Sequence, residues 1–381
     1  MKLKLVLILC LFFGSIALSE AAPDKVPAFS RIGFNFDNTN SPAYRNLMRQ
    51  IDSMYDVEAA KGFHGSVLIG YKGKIIYERY IGYSDIAKKI KWSPQTISQL
   101  ASTSKPLTSA AILVLVDKGL INLDAPVSKY LPTFPYGNIS VRMLLCHRSG
   151  LKDYIDFVPA QAGKKYLDND DILEVFAKTK PSLRFRPNTS FKYTNTNYAI
   201  LASVVESVSG MKFKYFMERF IFKKLGMNQT IVHDPNLYSP SYKAKSYKGG
   251  RHYKDMHHDG VFGAYGVYSS VRDMYKWDQS LYTNKLLKWR TIQNAFKPNI
   301  KKAGSQRDYG LGWRMLFYPN GTKVVYHNGW WHGNNTCFYR FIKDNFSIIV
   351  LGNKYSMNIY KQPKNIFKLI NPAEEMDFKM K

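Results

Sequence analysis

The chain is 381 residues long, 45% hydrophobic and 15% aromatic. That is enough apolar side chain to bury one large core or two modest ones, and too much for a disordered chain. Lys and Arg number 55 against 28 Asp and Glu, a formal net charge of +27, which attracts anionic partners. No zinc-finger, helix-turn-helix or RNA-binding signature accompanies that charge, so no nucleic-acid motif supports it. Anionic envelope polymers, or plain solubility, are the remaining readings.

Lys2 and Lys4, the apolar run 5–13 and the small residues Ala17, Ser19, Ala21 and Ala22 read as an export signal, cleaved after residue 19, 21 or 22. The run is too short for a membrane span, and no later stretch is long and apolar enough. Residues 23–381 are therefore expected as one domain, secreted or periplasmic. Cys146 and Cys337 remain after cleavage; they could pair, but two cysteines make no disulfide framework, and buried free thiols are the simpler reading.

Residues 41–57 read as a helix with Ser41 as cap and Pro42 at its first position. Residues 65–80 are two β-rich runs around Lys72-Gly73, a hairpin. Residues 99–119 read as a second helix. Leu107, Ala111, Leu115 and Val116 recur at helical spacing, Gly119 stops it, and Pro106 is tolerable only near its start. Ser102 and Lys105 then share one face of the first turn, a hydroxyl beside an amine. Such a pair is a nucleophile and base, or an N-capping serine with a solvated lysine. Ser-x-x-Lys also occurs at Ser149–Lys152 and Ser209–Lys212, so this motif alone does not decide.

From 122 to about 260 the chain reads as helix and loop. Residues 141–145, 171–178, 195–208 and 213–225 are the periodic segments, and 238–260 is a polar, basic loop. His252, His257, His258 and Asp259 fall in that loop and are not expected to hold a metal. An amphipathic helix passes through Trp277 and Leu281; strands 323–326, 336–342 and 346–351 follow, and a helix at 366–370 closes the chain. Strands, helices, then strands is an α+β order. It predicts an antiparallel sheet built from about 23–100 and 265–381, flanked by helices, with a mainly helical lobe inserted at about 101–264.

Two motifs join Ser102–Lys105: Tyr193-Thr-Asn195, opening a helix, and His327-Asn328-Gly329, ending a strand. The flanks are specific too: Leu120-Ile-Asn-Leu-Asp-Ala-Pro-Val-Ser-Lys-Tyr-Leu-Pro132, Leu144-Leu-Cys-His-Arg-Ser-Gly-Leu151, Gly266-Val-Tyr-Ser-Ser-Val-Arg-Asp273 and Trp277-Asp278. On these residues the chain resembles the serine β-lactamase and penicillin-binding protein superfamily, in its class C-related branch, across about 62–353. The resemblance implies a β-lactamase/DD-peptidase-like fold and acyl transfer through an acyl-enzyme, without cofactor or metal. It makes Ser102 the nucleophile, with Lys105 and Tyr193 moving protons. Asn195 orients Lys105 or the substrate amide. The backbone N–H groups of Ser102 and Trp330 form the oxyanion hole. His327, Asn328 and Gly329 give the strand edge that binds substrate, and His147 is structural. His-Asn-Gly replaces the Lys-Thr-Gly of the family's β-lactamases, and Trp330 and Trp331 are bulky. The expected substrates are therefore D-amino-acid peptides, as for a D-alanyl carboxypeptidase, or small esters and amides, rather than β-lactams. The alternative is a catalytically silent protein of this fold that binds cell-wall peptide or a polyanion.

Overall fold

The hairpin around Lys72-Gly73 forms as β1 (Gly65–Tyr71) and β2 (Lys74–Ile81), with both turn residues at positive φ. The C-terminal part supplies β3 (Arg307–Tyr309), β4 (Arg314–Phe317), β5 (Lys323–Trp331), β6 (Asn334–Phe341) and β7 (Phe346–Gly352). In this computed structural model they make one seven-stranded sheet, ordered β3-β4-β5-β6-β7-β1-β2. β1 pairs antiparallel with β7, from Gly65↔Gly352 to Tyr71↔Phe346, so the two ends of the chain meet in mid-sheet. The structure describes residues 34, 36–159, 164–237, 239–299, 305–318 and 321–372; the expected export signal lies outside them.

Alternation divides the sheet's side chains between two cores. Val67 and Ile69 join Leu47, Ile51 and Tyr55 of the helix Pro42–Ala60 and Ile366 and Phe367 of the helix Gln362–Ile370. Leu68 faces the other way, into the cluster with the helices Lys105–Asp117 and Thr196–Ser209. Ser41 caps the first helix, its Oγ accepting from the Tyr44 N–H at 3.0 Å. Cys146 and Cys337 are free and buried in different clusters, which separates them by the sheet. Among the described residues no helix is long and apolar enough to cross a membrane.

Several elements differ from the sequence reading. The helix Lys105–Asp117 is buried all round from Lys105 to Leu115 rather than along one stripe, as befits a helix wrapped by others. β3 and β4 are too short to show a period, and β5 runs past Tyr326 through the His-Asn-Gly motif to Trp331. The basic stretch 238–260 contains a hairpin, Ser246–Lys248 with Arg251–Tyr253. Its turn is Gly249-Gly250, both at positive φ, a two-residue signal that the polar composition masked.

Candidate active site

Residues 99–119 are not one helix. A short strand Ser98–Gln99 leads to a 3-10 turn, Ala101–Ser104, and the α-helix starts at Lys105. The break is at Ala101, whose φ is +50° although it has a Cβ. Such a backbone costs on the order of 1–3 kcal/mol and persists only where its surroundings hold it. Here the Leu100 N–H donates to the Val267 carbonyl at 2.8 Å and the Thr336 hydroxyl donates to the Leu100 carbonyl at 2.8 Å. Ser102 is thereby placed on the wall of a cleft of about 510 Å³. Its N–H belongs to the first turn, where no intrahelical acceptor exists.

β5 passes this turn closely. A Cβ on Gly329 would lie 2.3 Å from both the Leu100 carbonyl oxygen and the Thr336 Oγ1. Glycine is thus required by the turn that carries Ser102, a role separate from the substrate edge expected from the sequence.

Lys105 is fully buried, with 0% exposure. Its Nζ reaches Ser102 Oγ at 3.0 Å, Asn195 Oδ1 at 2.9 Å and the Ala264 carbonyl at 2.9 Å. Burial lowers its pKa to about 7, with Arg314 pushing the same way and Asp153 opposing. A neutral amine has two N–H groups for the two carbonyl oxygens and one lone pair for the Ser102 hydroxyl. This is the geometry of a base on a nucleophile.

Asn195 precedes the helix Thr196–Ser209 but its side chain makes no capping bond. Instead Asp153, at the start of the turn Tyr154–Asp156, accepts from both the Asn195 N–H at 2.8 Å and Nδ2 at 3.2 Å. The Nδ2 contact fixes the amide with its oxygen toward Lys105. The sequence reading of the Leu-Leu-Cys-His-Arg-Ser-Gly-Leu segment stopped two residues short of Asp153.

Tyr193 completes the group. Its hydroxyl is buried without a regular hydrogen bond. Burial pushes the phenol up to about 12, while Arg314 and the nearby Ser102 hydroxyl pull the other way. The Arg314 guanidinium lies 5.1 Å from the Tyr193 ring centroid and 6.0 Å from that of Tyr309. It lines the cleft, and no carboxylate pairs with it among the described residues. Arg314 was missed on sequence because it is a lone cation in a four-residue strand; that oddity was its only signal. His147, expected as structural, accepts at Nδ1 from the Thr194 N–H at 3.3 Å and from Asn197 Nδ2 at 3.1 Å. Its ring lies 4.2 Å from that of Tyr193.

Of the strand residues expected to bind substrate, Asn328 and Gly329 line the cleft and His327 does not. The His327 ring is fully buried, accepting from the Tyr309 hydroxyl at 3.1 Å and donating to the Asn328 carbonyl at 2.8 Å. Burial, with Arg314 and Lys105 nearby, holds its pKa well below the usual histidine value. A neutral, inward ring cannot hold a substrate carboxylate, so only the backbone of His327 remains for the substrate edge. That edge is open beyond Tyr326, where β4 stops pairing with β5. Trp331 stacks on Tyr265 at 4.1 Å and donates to Asp259 at 2.6 Å; His332 bonds the same carboxylate at 2.8 Å. Asp259 is therefore used to brace the cleft wall. Trp330 stands at the mouth, 54% exposed.

Ser102, Tyr193, Asn195, Arg314 and Trp330 thus border one cleft, with the buried Lys105 amine 3.0 Å from Ser102 Oγ. Comparison with known proteins agrees with this geometry. The chain is 32% identical over 338 residues to Penicillin-binding protein 4* of Bacillus subtilis, covering 84% of this chain and 74% of that protein. It is 32% identical over 256 residues to the putative penicillin-binding protein PbpX of the same species, spanning 66% of this chain but only 62% of that protein. Among solved structures, a penicillin-binding protein from Bacillus halodurans superposes with a TM-score of 0.73 at 24% identity, over 85% of this chain and 98% of that one. D-amino acid amidase from Ochrobactrum anthropi SV3 does so with a TM-score of 0.73 at 21% identity, over 87% and 100%; at these identities the likeness is one of fold. The Beta-lactamase family model matches residues 50–368, nearly the whole of the described chain, and the protein belongs to that family.

Proposed function

We propose that the protein is an exported serine hydrolase that cleaves amide or ester bonds of D-amino-acid compounds through an acyl-enzyme on Ser102. The observation that carries this reading is the fully buried Lys105 amine, 3.0 Å from Ser102 Oγ and lowered to about 7. In the first step Ser102 Oγ bonds to the substrate carbonyl carbon and its proton passes to Lys105. The carbonyl oxygen becomes an oxyanion and accepts from the Ser102 and Trp330 N–H groups; one such donor is worth about 10²–10³ in rate. The C–N or C–O bond then breaks, and the leaving group takes a proton from Tyr193, which Lys105 restores. A phenol near 12 stays protonated at neutral pH, which suits that donor role. Water adds to the acyl carbon with its proton going to the same pair, and Ser102 Oγ leaves with a proton.

Arg314 supports a substrate with a free carboxylate beside the scissile bond, the position for which His327 is unsuited. The names of the relatives, penicillin-binding proteins and a D-amino acid amidase, favour D-configured substrates. The export signal expected at residues 1–22 favours an extracytoplasmic site.

The test is intact-protein mass after exposure to a fluorophosphonate and, separately, to a penicillin, on wild type and Ser102→Ala. A phosphonate adduct on wild type alone is expected. A lasting penicillin adduct as well identifies a D-alanyl-peptidase-like site; a phosphonate adduct without any penicillin adduct or hydrolysis identifies an esterase or amidase. No adduct with either, on folded protein, overturns the hydrolase reading in favour of a silent binding protein.

A further inference from the structure

Gly329 is held from both faces of the sheet. On one face the Leu100 carbonyl oxygen and Thr336 Oγ1 crowd its Cα. On the other lies Tyr360, from the turn Met357–Lys361, which packs in the cluster with Cys337 and Val350 and not in the one that holds Leu100. The Tyr360 hydroxyl donates to the Gly329 carbonyl at 2.8 Å. Tyr360 also lines the cleft, although no step of the chemistry above uses it.

The direction of that bond is set by its neighbours. Asn335 Oδ1 accepts from the Ser356 N–H at 3.0 Å, which leaves Asn335 Nδ2 to donate to Tyr360 Oη at 2.8 Å. A hydroxyl that accepts there sends its own hydrogen on to the carbonyl. Burial pushes the phenol pKa up, so that hydrogen is kept. The bonds from Ser356 through Asn335 and Tyr360 to Gly329 therefore all run one way, and aligned bonds strengthen one another. The Gly329–Trp330 peptide is a rigid plane whose C=O and N–H point opposite ways. Asn335 lies on β6, so the carbonyl held by Tyr360 points to the β6 side. The Trp330 N–H then points away from β6, toward the edge left open beyond Tyr326.

We propose that Tyr360 is a positioning residue for acyl transfer, holding the Gly329–Trp330 peptide so that the Trp330 N–H faces the oxyanion. This rests on the hydrolase reading above. The close approach of the Ser102 turn requires glycine at 329, and glycine is also the residue that lets its flanking peptides rotate most freely. Tyr360 removes that freedom. A peptide turned over would present the Gly329 carbonyl oxygen to the cleft and repel the negative charge that forms there. The bond to the carbonyl also polarises the N–H of the same unit, which makes it a better donor. Tyr360 Oη is occupied by Gly329 and Asn335, so its part is to orient the donor and not to move a proton.

The test compares a p-nitrophenyl ester with the matching thionoester, in which sulfur replaces the carbonyl oxygen. Sulfur is a weak acceptor, so the thionoester gains little from a well-aimed N–H. Acylation is read from p-nitrophenol release. Tyr360→Phe is expected to slow acylation by the ester about tenfold, short of the 10²–10³ or so that follows loss of a donor itself. KM should stay within about twofold, and the thionoester should slow less than about threefold. Asn335→Asp gives the Tyr360 hydroxyl a carboxylate to donate to in place of the carbonyl; its charge acts on both substrates, so the same fall in the ester-to-thionoester ratio is expected. Tyr44→Phe loses an equivalent bond, from the Tyr44 hydroxyl to the Ile76 carbonyl at 2.8 Å, and should change neither rate more than about twofold. Equal losses on both substrates from Tyr360→Phe, or no loss on either, overturn this role. A wild type that takes no fluorophosphonate overturns the hydrolase reading, and the role of Tyr360 with it; a wild type that labels while the ratio is unmoved overturns the role of Tyr360 alone.

Discussion

Lys105 takes its charge state from burial and from two neighbours of opposite sign. Arg314 lowers its pKa and Asp153 raises it, about a value near 7. The acid limb of kcat/KM on a small ester is therefore expected near pH 7, with activity rising as Lys105 loses its proton. Arg314→Gln removes a cation, so Lys105 holds its proton longer and the limb moves to higher pH. Asp153→Asn removes an anion, and the limb moves to lower pH while most of kcat survives, because the new amide still accepts from Asn195. Asp153→Ala shifts the limb the same way but costs about 10²-fold in kcat, since the Asn195 amide is no longer held. Shifts of the same sign from both residues would remove them from this role. Stability follows the same group. The folded value of Lys105 lies below its unfolded value of about 10.4, so the unfolded chain binds the extra proton between the two. Wild-type stability relative to Lys105→Met is thus expected to rise between about pH 7 and 10.4, read from denaturant melts across that range.

The element that organises the site is the contact between the turn Ala101–Ser104 and strand β5. The motifs at its two ends were legible: Ser102, Lys105, Tyr193, Asn195 and Gly329 come together from 99–105, 193–195 and 327–329. Their side chains carry recognisable chemistry at short spacing. The backbone that joins them was not legible. The positive φ of Ala101 leaves no trace in residue type, and the 2.3 Å approach behind Gly329 is a long-range contact. Asp153 and Arg314 act on Lys105 through space and share no spacing with it. The motif placed His327 on the strand edge, but not which way its ring turns: the ring is buried, off the cleft lining. Gly329→Ala tests the contact. The added methyl must move either the Leu100 carbonyl or Thr336, which costs about 1–3 kcal/mol and tilts Ser102 away from Lys105. Thermal melting should fall modestly, and ester hydrolysis should drop at least about 10²-fold. Full activity with an unchanged melt would show that the turn yields without consequence.

At the scale of the molecule the sheet is closed by its last strand. β7 lies between β1 and β6 and pairs with both along its whole length. The order of strands, helices and strands made a sheet from both chain ends predictable; which late strand meets β1 was not, since Lys323–Trp331, Asn334–Phe341 and Phe346–Gly352 are all apolar enough to do so. The consequence is that the N-terminal hairpin joins the sheet only through residues made last. Phe346, Ile348, Ile349, Val350 and Leu351 are all fully buried, and at about 1.5–3 kcal/mol for each side chain they contribute on the order of 10 kcal/mol. That is comparable to the whole net stability of about 5–15 kcal/mol of a folded domain. A chain ended after Asn345 should therefore lack any cooperative thermal transition by circular dichroism, although residues 102, 105, 193 and 195 are all present. A cooperative melt in that shortened chain would mean that the helical part, with the cluster around Lys105–Asp117, folds without the centre of the sheet.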